Sequence, residues 1–290
     1  MARSSEKLPM HAAPDGMAAI TIERLEAREQ RAAAARARRD WLLHTTARLV
    51  VLAGVIGLWQ ALASRYDITL LPGPGPTVAA LRRGWSLIAP AAVDTASEIA
   101  LGFALGTLIG LLVGSLIGQS KRAEEILHPY LIAYQALPKV GLAPLIVLLL
   151  GFGLLPKVAL AALSAAFPVL ENTLLGVQRV DEDSARLFAG LGAGRLQTYF
   201  KLRVISALPA ILTGVRVAVV LATVAVVVAE FVAGRIGLGA VMMVGYAQLD
   251  TPLVFAALFV LTAVGLAYYF AAVALEALVL RWFNLAPPAR

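Results

Sequence analysis

From Ile99 to Ile117 the chain runs for nineteen residues without a charged side chain, and glycine returns at every fourth position through Gly102, Gly106, Gly110, Gly114 and Gly118. A stretch of this length and character is what a helix needs to cross the roughly 30 Å hydrocarbon core of a bilayer. On a helix the spacing gathers the five glycines on one smooth face, along which another helix can approach closely. We therefore expect a buried span near the centre of a helix bundle, with this face used for packing ahead of lining a solute path.

The rest of the chain repeats the pattern. Six spans are expected: one from Trp41 or Thr45 to Ala63, then Asp94–Gly118, Ala123–Leu150, Pro156–Gly176, Leu208–Phe231 and Thr251–Leu280. The third carries Pro129, Pro138 and Pro144, which remove backbone donors and imply bends or a break, and it also carries Lys139. Between the fifth and sixth, residues 234–250 are too few and too glycine-rich to span, so a surface or re-entrant helix on the outer side is expected. With 60% hydrophobic and 15% charged residues, the chain reads as an all-α polytopic membrane protein.

Between the fourth and fifth spans lies a polar interruption, residues 181–209, that must sit outside the hydrocarbon. Asp181, Glu182 and Asp183 with Ser184 supply a capping oxygen and favourable charge for a helix start. Ala185, Phe188 and Leu191 recur at helical spacing. Gly190, Gly192 and Gly194 interrupt the helix, and Leu196, Tyr199, Phe200 and Val204 resume an apolar stripe beside Arg195, Lys201 and Arg203. Two short helices joined by a glycine elbow are expected. They form either a basic amphipathic surface lying on lipid or a docking element for a soluble partner.

Residues 1–40 lack the apolar core of a secretory signal and are expected to be a retained extension, disordered over residues 1–16 and helical over residues 20–40. Its arginines stand either in solvent or against anionic headgroups. With this end cytosolic, eighteen Lys and Arg residues fall in inner segments and five outside. That asymmetry places both termini and the 181–209 loop in the cytosol.

The formal charge of +7 is scattered among apolar spans and forms no aromatic and basic surface for nucleic acid. No cysteine is present, so thiol nucleophiles, disulfides and cysteine metal sites are excluded. No GxxxxGK[ST], HExxH, GxSxG or strand-linked GxGxxG pattern occurs, and His11, His44 and His128 stand far apart. The chain therefore reads as non-catalytic, with no cofactor or metal of its own. Ionisable residues within the spans are the remaining clues. Glu171 and Arg216 stand at similar depth on consecutive spans and could pair, snorkel or face water singly. Glu98, Glu230 and Glu276 fall near span ends, where interfacial placement is expected.

The order Leu191-Gly192-Ala193 followed by Ala207-Leu208-Pro209-Ala210-Ile211 resembles the cytosolic "EAA" loop of ATP-binding-cassette importer permeases, most of all the nitrate/sulfonate/taurine branch. Leu71-Pro72-Gly73-Pro74, Ala136-Leu137-Pro138-Lys139, Pro144 and Ala229-Glu230-Phe231 with Gly237-Leu238-Gly239 agree, so the resemblance covers residues 50–283. Gly192 and Pro209 match the loop's glycine and second proline. The usual glutamate falls at Arg186, its two alanines at Leu187 and Phe188, and the first proline at Ile205.

The resemblance implies a type I importer permease fold of six transmembrane helices in a bacterial inner membrane. Residues 41–283 would form the permease, residues 284–290 a cytosolic tail. It also implies a homodimer of permeases, two cytosolic ATPase subunits carrying ATP and Mg, and an external binding protein delivering a small solute, an oxyanion such as nitrate, sulfonate or taurine. The coupling surface would comprise Ala185, Arg186, Phe188, Leu191, Gly192, Ala193, Gly194, Leu196, Phe200 and Pro209. The rival readings are an ion-driven secondary transporter, which would show inverted repeats, and a scaffold that recruits a soluble protein through the same loop.

Overall fold

The computed structural model describes residue 39, residues 42–66 and residues 71–285. The helix expected over residues 20–40 and most of the carboxyl-terminal tail lie outside these. Residues 1–62 and 63–290 form two units. The first contributes α1, Leu42–Ala63, whose 22 residues reach about 33 Å, enough to cross a bilayer.

The second unit is all helix among the described residues. It holds α2 (Pro74–Arg83), α3 (Trp85–Gly118), α4 (Lys121–Ala136), a tight turn over Lys139–Leu142 and α5 (Ala143–Leu150). There follow α6 (Leu154–Gln178), α7 (Glu182–Gly190), α8 (Arg195–Thr198), α9 (Val204–Ala233), α10 (Leu238–Ala247) and α11 (Thr251–Trp282). Five helices among the described residues are long and apolar enough to span, and the bent pair Lys121–Ala136 and Lys139–Leu150 makes a sixth. The chain is thus a six-span helical membrane protein.

The third span breaks at one of its three prolines. Pro129 lies inside a continuous α4, and Pro144 sits in the first turn of α5, where its missing N–H costs nothing. Pro138 forces Leu137 into an extended conformation, and the two halves meet at 76°. The second span begins at Trp85, earlier than Asp94, because Pro90 is absorbed within α3. The helix α2 was not foreseen. Its Gly73-Pro74 start places proline at the first helical position, and Thr77 Oγ1 donates to Gly73 O at 2.9 Å.

The centre of the unit is α6, gripped between α3 and α9. The five glycines of α3 face it, and a Cβ at Gly106, Gly110 or Gly114 would stand 2.5 Å from the carbonyl oxygen of Ala162, Ala166 or Leu170. From the other side a Cβ at Gly214 of α9 would come 2.6 Å from Pro168 O. Backbones this close maximise dispersion contacts where lipid supplies no hydrophobic drive between helices. Ala161, Ala165, Val169, Ala218, Ala222 and Val226 fill the seam. A second cluster, including Ile88, Leu238, Val241, Leu253 and Ala257, joins α2, α3, α10 and α11 near one end of the bundle.

Candidate functional site

The polar interruption folds into two short helices. Asp181 is the residue that caps α7: its Oδ2 accepts from the backbone N–H of Ser184 at 3.0 Å and from the Ser184 hydroxyl at 3.0 Å. Of the run from Asp181 to Ser184 that was expected to supply a capping oxygen, Asp181 is the residue that does so. These hydrogen bonds, the backbone one first, hold the Asp181 carboxyl below the usual carboxylate range. Between α7 and α8 only Gly192 among the three glycines adopts the left-handed region, at φ 72°. A side chain there would be strained, and a Cβ would project into open space. Gln197 closes the start of α8 by accepting from Gly194 N. A wider turn over Tyr199–Arg203 then feeds α8 into α9, so residues 195–233 form one continuous rod.

Exposure along this hairpin differs in part from the expected stripe. Leu187, Leu191, Leu196 and Phe200 are exposed, at 62%, 75%, 74% and 61%, whereas Phe188 and Tyr199 are half-buried. Leu187 was missed because helical spacing counted from Ala185 selects 188 and 191. Ala185, Ala189, Ala193, Arg195 and Arg203 line a cleft reaching Gln119. Arg186 is exposed and lies 3.7 Å from Asp183. Pro209 stands within α9, and its carbonyl accepts from Thr213 Oγ1 at 2.9 Å.

Some 26 residues along α9, about 39 Å at the helical rise, lies a second polar assembly, whose enclosure the sequence did not reveal. Glu98 and Glu230, which fall near span ends, are enclosed by neighbouring helices at 1% and 0% exposed. Lys157, counted among the outer charges, is also 0% exposed. Its Nζ donates to Glu98 Oε1 at 2.6 Å and to Ile236 O at 2.8 Å. Thr95 Oγ1 donates to Glu230 Oε1 at 2.6 Å and accepts from Leu238 N at 2.8 Å, while Gly239 N donates to Glu230 Oε2 at 2.6 Å. The Glu230 carboxylate and the Thr95 hydroxyl together take the first free amides of α10, a negative group at a helix start.

This clasp explains the paired glycines after Glu230. Gly237 turns at φ 109°, and a Cβ there would meet Glu230 Oε1 at 1.9 Å. At Gly239 a Cβ would meet Glu230 Cβ at 2.7 Å. The short helix expected over residues 234–250 is α10, and what hydropathy could not supply is that Glu230 and Thr95 hold its start. The signal that could have been read was Glu230 followed by two glycines at close spacing.

Glu171 and Arg216 are not brought together. Arg216 Nε donates to Glu276 on α11 at 2.9 Å, and Glu171 is exposed, lining a cleft with Glu124 and His128. Depth along two spans says nothing of the direction a side chain takes around the axis. Among the described residues no group of three or more His, Asp and Glu could hold a metal.

The model of the binding-protein-dependent transport system inner membrane component matches residues 106–281. The riboflavin transport system permease protein RibX of Chloroflexus aurantiacus is 40% identical over 80% of this chain and 88% of its own length. The putative aliphatic sulfonates transport permease protein SsuC of Escherichia coli is 31% identical over 84% of this chain and 94% of its own. Among solved structures, an inward-facing MetNI methionine ABC transporter superposes with a TM-score of 0.59 at 16% identity, covering 68% of this chain and 98% of that one.

Proposed function

The chain belongs to the family of binding-protein-dependent transport system inner membrane components, the non-catalytic permease subunits of ABC importers, and on that premise we propose that its 181–203 hairpin is the surface through which a separate ATPase drives the spans. The observation that carries this reading is the exposed row Leu187, Leu191, Leu196 and Phe200 around an elbow whose glycine has open space about it. An apolar row on an otherwise polar hairpin requires a partner, and a continuous rod into α9 would carry movement of the hairpin to the far end of the bundle.

In this reading the hairpin and both termini face the cytosol, as the eighteen-to-five charge asymmetry favours. Residues 41–283 form the permease, with residues 1–40 and 284–290 as cytosolic extensions. Two copies assemble with two ATPase subunits that hold ATP and Mg, and an external binding protein delivers the solute. The solute is an oxyanion of the sulfonate kind, as the likeness to the sulfonate permease supports. The likeness to the riboflavin permease favours a heteroaromatic solute instead, and ATP-dependent uptake of butanesulfonate against riboflavin into vesicles decides between them.

The test of the coupling surface is Gly192→Trp, purified with its ATPase. Recovery of the complex and solute-stimulated ATP hydrolysis are expected to fall at least tenfold while the melting temperature of the permease stays unchanged. Normal recovery and stimulation would remove the elbow from the coupling contact.

A further inference from the structure

Lys139 stands at the break of the third span. Its Nζ lies 5.0 Å from the centroid of the Tyr134 ring and 5.9 Å from that of Phe167, and the two rings stack at 5.7 Å. The Tyr134 hydroxyl is tied to Leu163 O, which fixes that ring. On its other side Lys139 lines a cavity of about 140 Å³ with Ser164, Leu160, Val224 and Val228. Among the described residues no carboxylate lies within ion-pair reach of Lys139.

Depth makes this arrangement informative. Ser164 is ten residues from the start of α6 and fourteen from its end, about 15 Å and 21 Å at the helical rise, which is close to the middle of a roughly 30 Å hydrocarbon core. An ammonium there without an acidic partner is costly unless water or an anion reaches it. Lys139 is half-buried, and the two other cations enclosed among the spans each have a carboxylate, Lys157 with Glu98 and Arg216 with Glu276. The aromatic faces hold the ammonium in place by attraction to their π clouds but leave its charge uncompensated.

We infer that Lys139, backed by Tyr134 and Phe167 and facing Ser164, is a mid-membrane station for the acidic group of a small organic anion, whose short apolar body lies along Leu160, Val224 and Val228. The inference rests on the importer reading above and selects the anionic class over a neutral heteroaromatic. One cation and one hydroxyl suit a sulfonate, carboxylate or phosphate oxygen.

The natural absence of cysteine supplies the test. Ser164→Cys is assembled with the ATPase and the external binding protein and exposed to two water-soluble thiol reagents, anionic sulfonatoethyl methanethiosulfonate and cationic trimethylammonioethyl methanethiosulfonate, at rest and during ATP turnover. The ratio of anionic to cationic modification rates is expected to fall about 25-fold on adding Lys139→Gln, since one unit charge a few ångströms away in water speeds the anion and slows the cation about fivefold each, and to be kept by Lys139→Arg. An unchanged ratio in Lys139→Gln overturns the station. So does failure of both reagents to react in either state, since the site would then be sealed from water. Ala225→Cys, on the same cavity wall, is the second reporter where Ser164→Cys does not assemble. Stimulated ATP hydrolysis by the unsubstituted complex is measured alongside: its presence with no charge preference removes only the station, whereas its absence removes the coupling reading.

Discussion

The two ends of α9 carry charge in opposite ways. Before its start, Arg186 and Asp183 stand in solvent 3.7 Å apart on the outer face of the hairpin. At its far end Glu230 is sealed beneath α10, with Thr95 and Gly239 on its two oxygens and the Glu98–Lys157 pair close by on the same segment. Exposed pairs are worth little, because water and salt already satisfy both partners. A buried pair need not be better than apolar packing, yet breaking it leaves an uncompensated charge in a medium that cannot solvate it. The same residue types therefore do interchangeable work at the hairpin and fixed work at the clasp.

The largest effect that would break this comparison lies at the clasp. Lys157→Met, leaving Glu98 buried without its cation, is expected to destabilise the purified permease by about 3–5 kcal/mol in thermal or denaturant unfolding. The double variant Lys157→Met with Glu98→Leu is expected to regain most of that loss, since it removes both charges at similar volume. A single variant as stable as the unsubstituted chain would show that water reaches the cluster.

An intermediate effect is expected at Arg216, whose side chain is 29% exposed against 7% for its partner Glu276. Arg216→Gln should cost about 1 kcal/mol, discounted for solvent on the arginine side, and a double-mutant cycle should show coupling to Glu276 and none to Glu171. Coupling to Glu171 would restore the pairing that depth alone suggested.

The smallest effect is a pH dependence at the hairpin. The Asp181 carboxyl is held below its ordinary value by the Ser184 amide, so the cap's contribution is complete above the unfolded-state value and is lost as pH falls through the lower folded-state value. Protection of the Ser184 amide from hydrogen exchange is expected to fall across that acidic window, and Asp181→Ala should abolish the dependence without altering the melting of the spans. A cap insensitive to pH in this range would mean that the backbone alone holds α7.

Much of the fold is legible in the chain because the bilayer restricts it so strongly. A helix must be long and apolar to cross, and glycines four apart must share a face, so the spans and the contact face of α3 follow from spacing alone. The elbow at Gly192 was visible for a similar reason: a polar segment between two spans must turn back, and glycine is the residue that turns most freely. What one dimension could not supply was direction about each helix axis and the covering of helix ends. Arg216 chose Glu276 over Glu171, Leu187 was exposed in place of Phe188, and Glu98, Lys157 and Glu230 were enclosed by neighbouring helices.

By itself the sequence determined six crossings, an all-helical architecture and the polar hairpin between the fourth and fifth spans. Each of these depends on composition within a window, which transfer free energy and helix geometry convert directly into structure. Only the tertiary structure decided which charges are paired, that α10 roofs the far end of the bundle, and that Lys139 meets aromatic faces and a cavity instead of a carboxylate. Those outcomes depend on helix rotation and on contacts between residues far apart in the chain, such as Thr95 and Leu238, 143 positions apart, and the energies that set them exist only once the helices have packed.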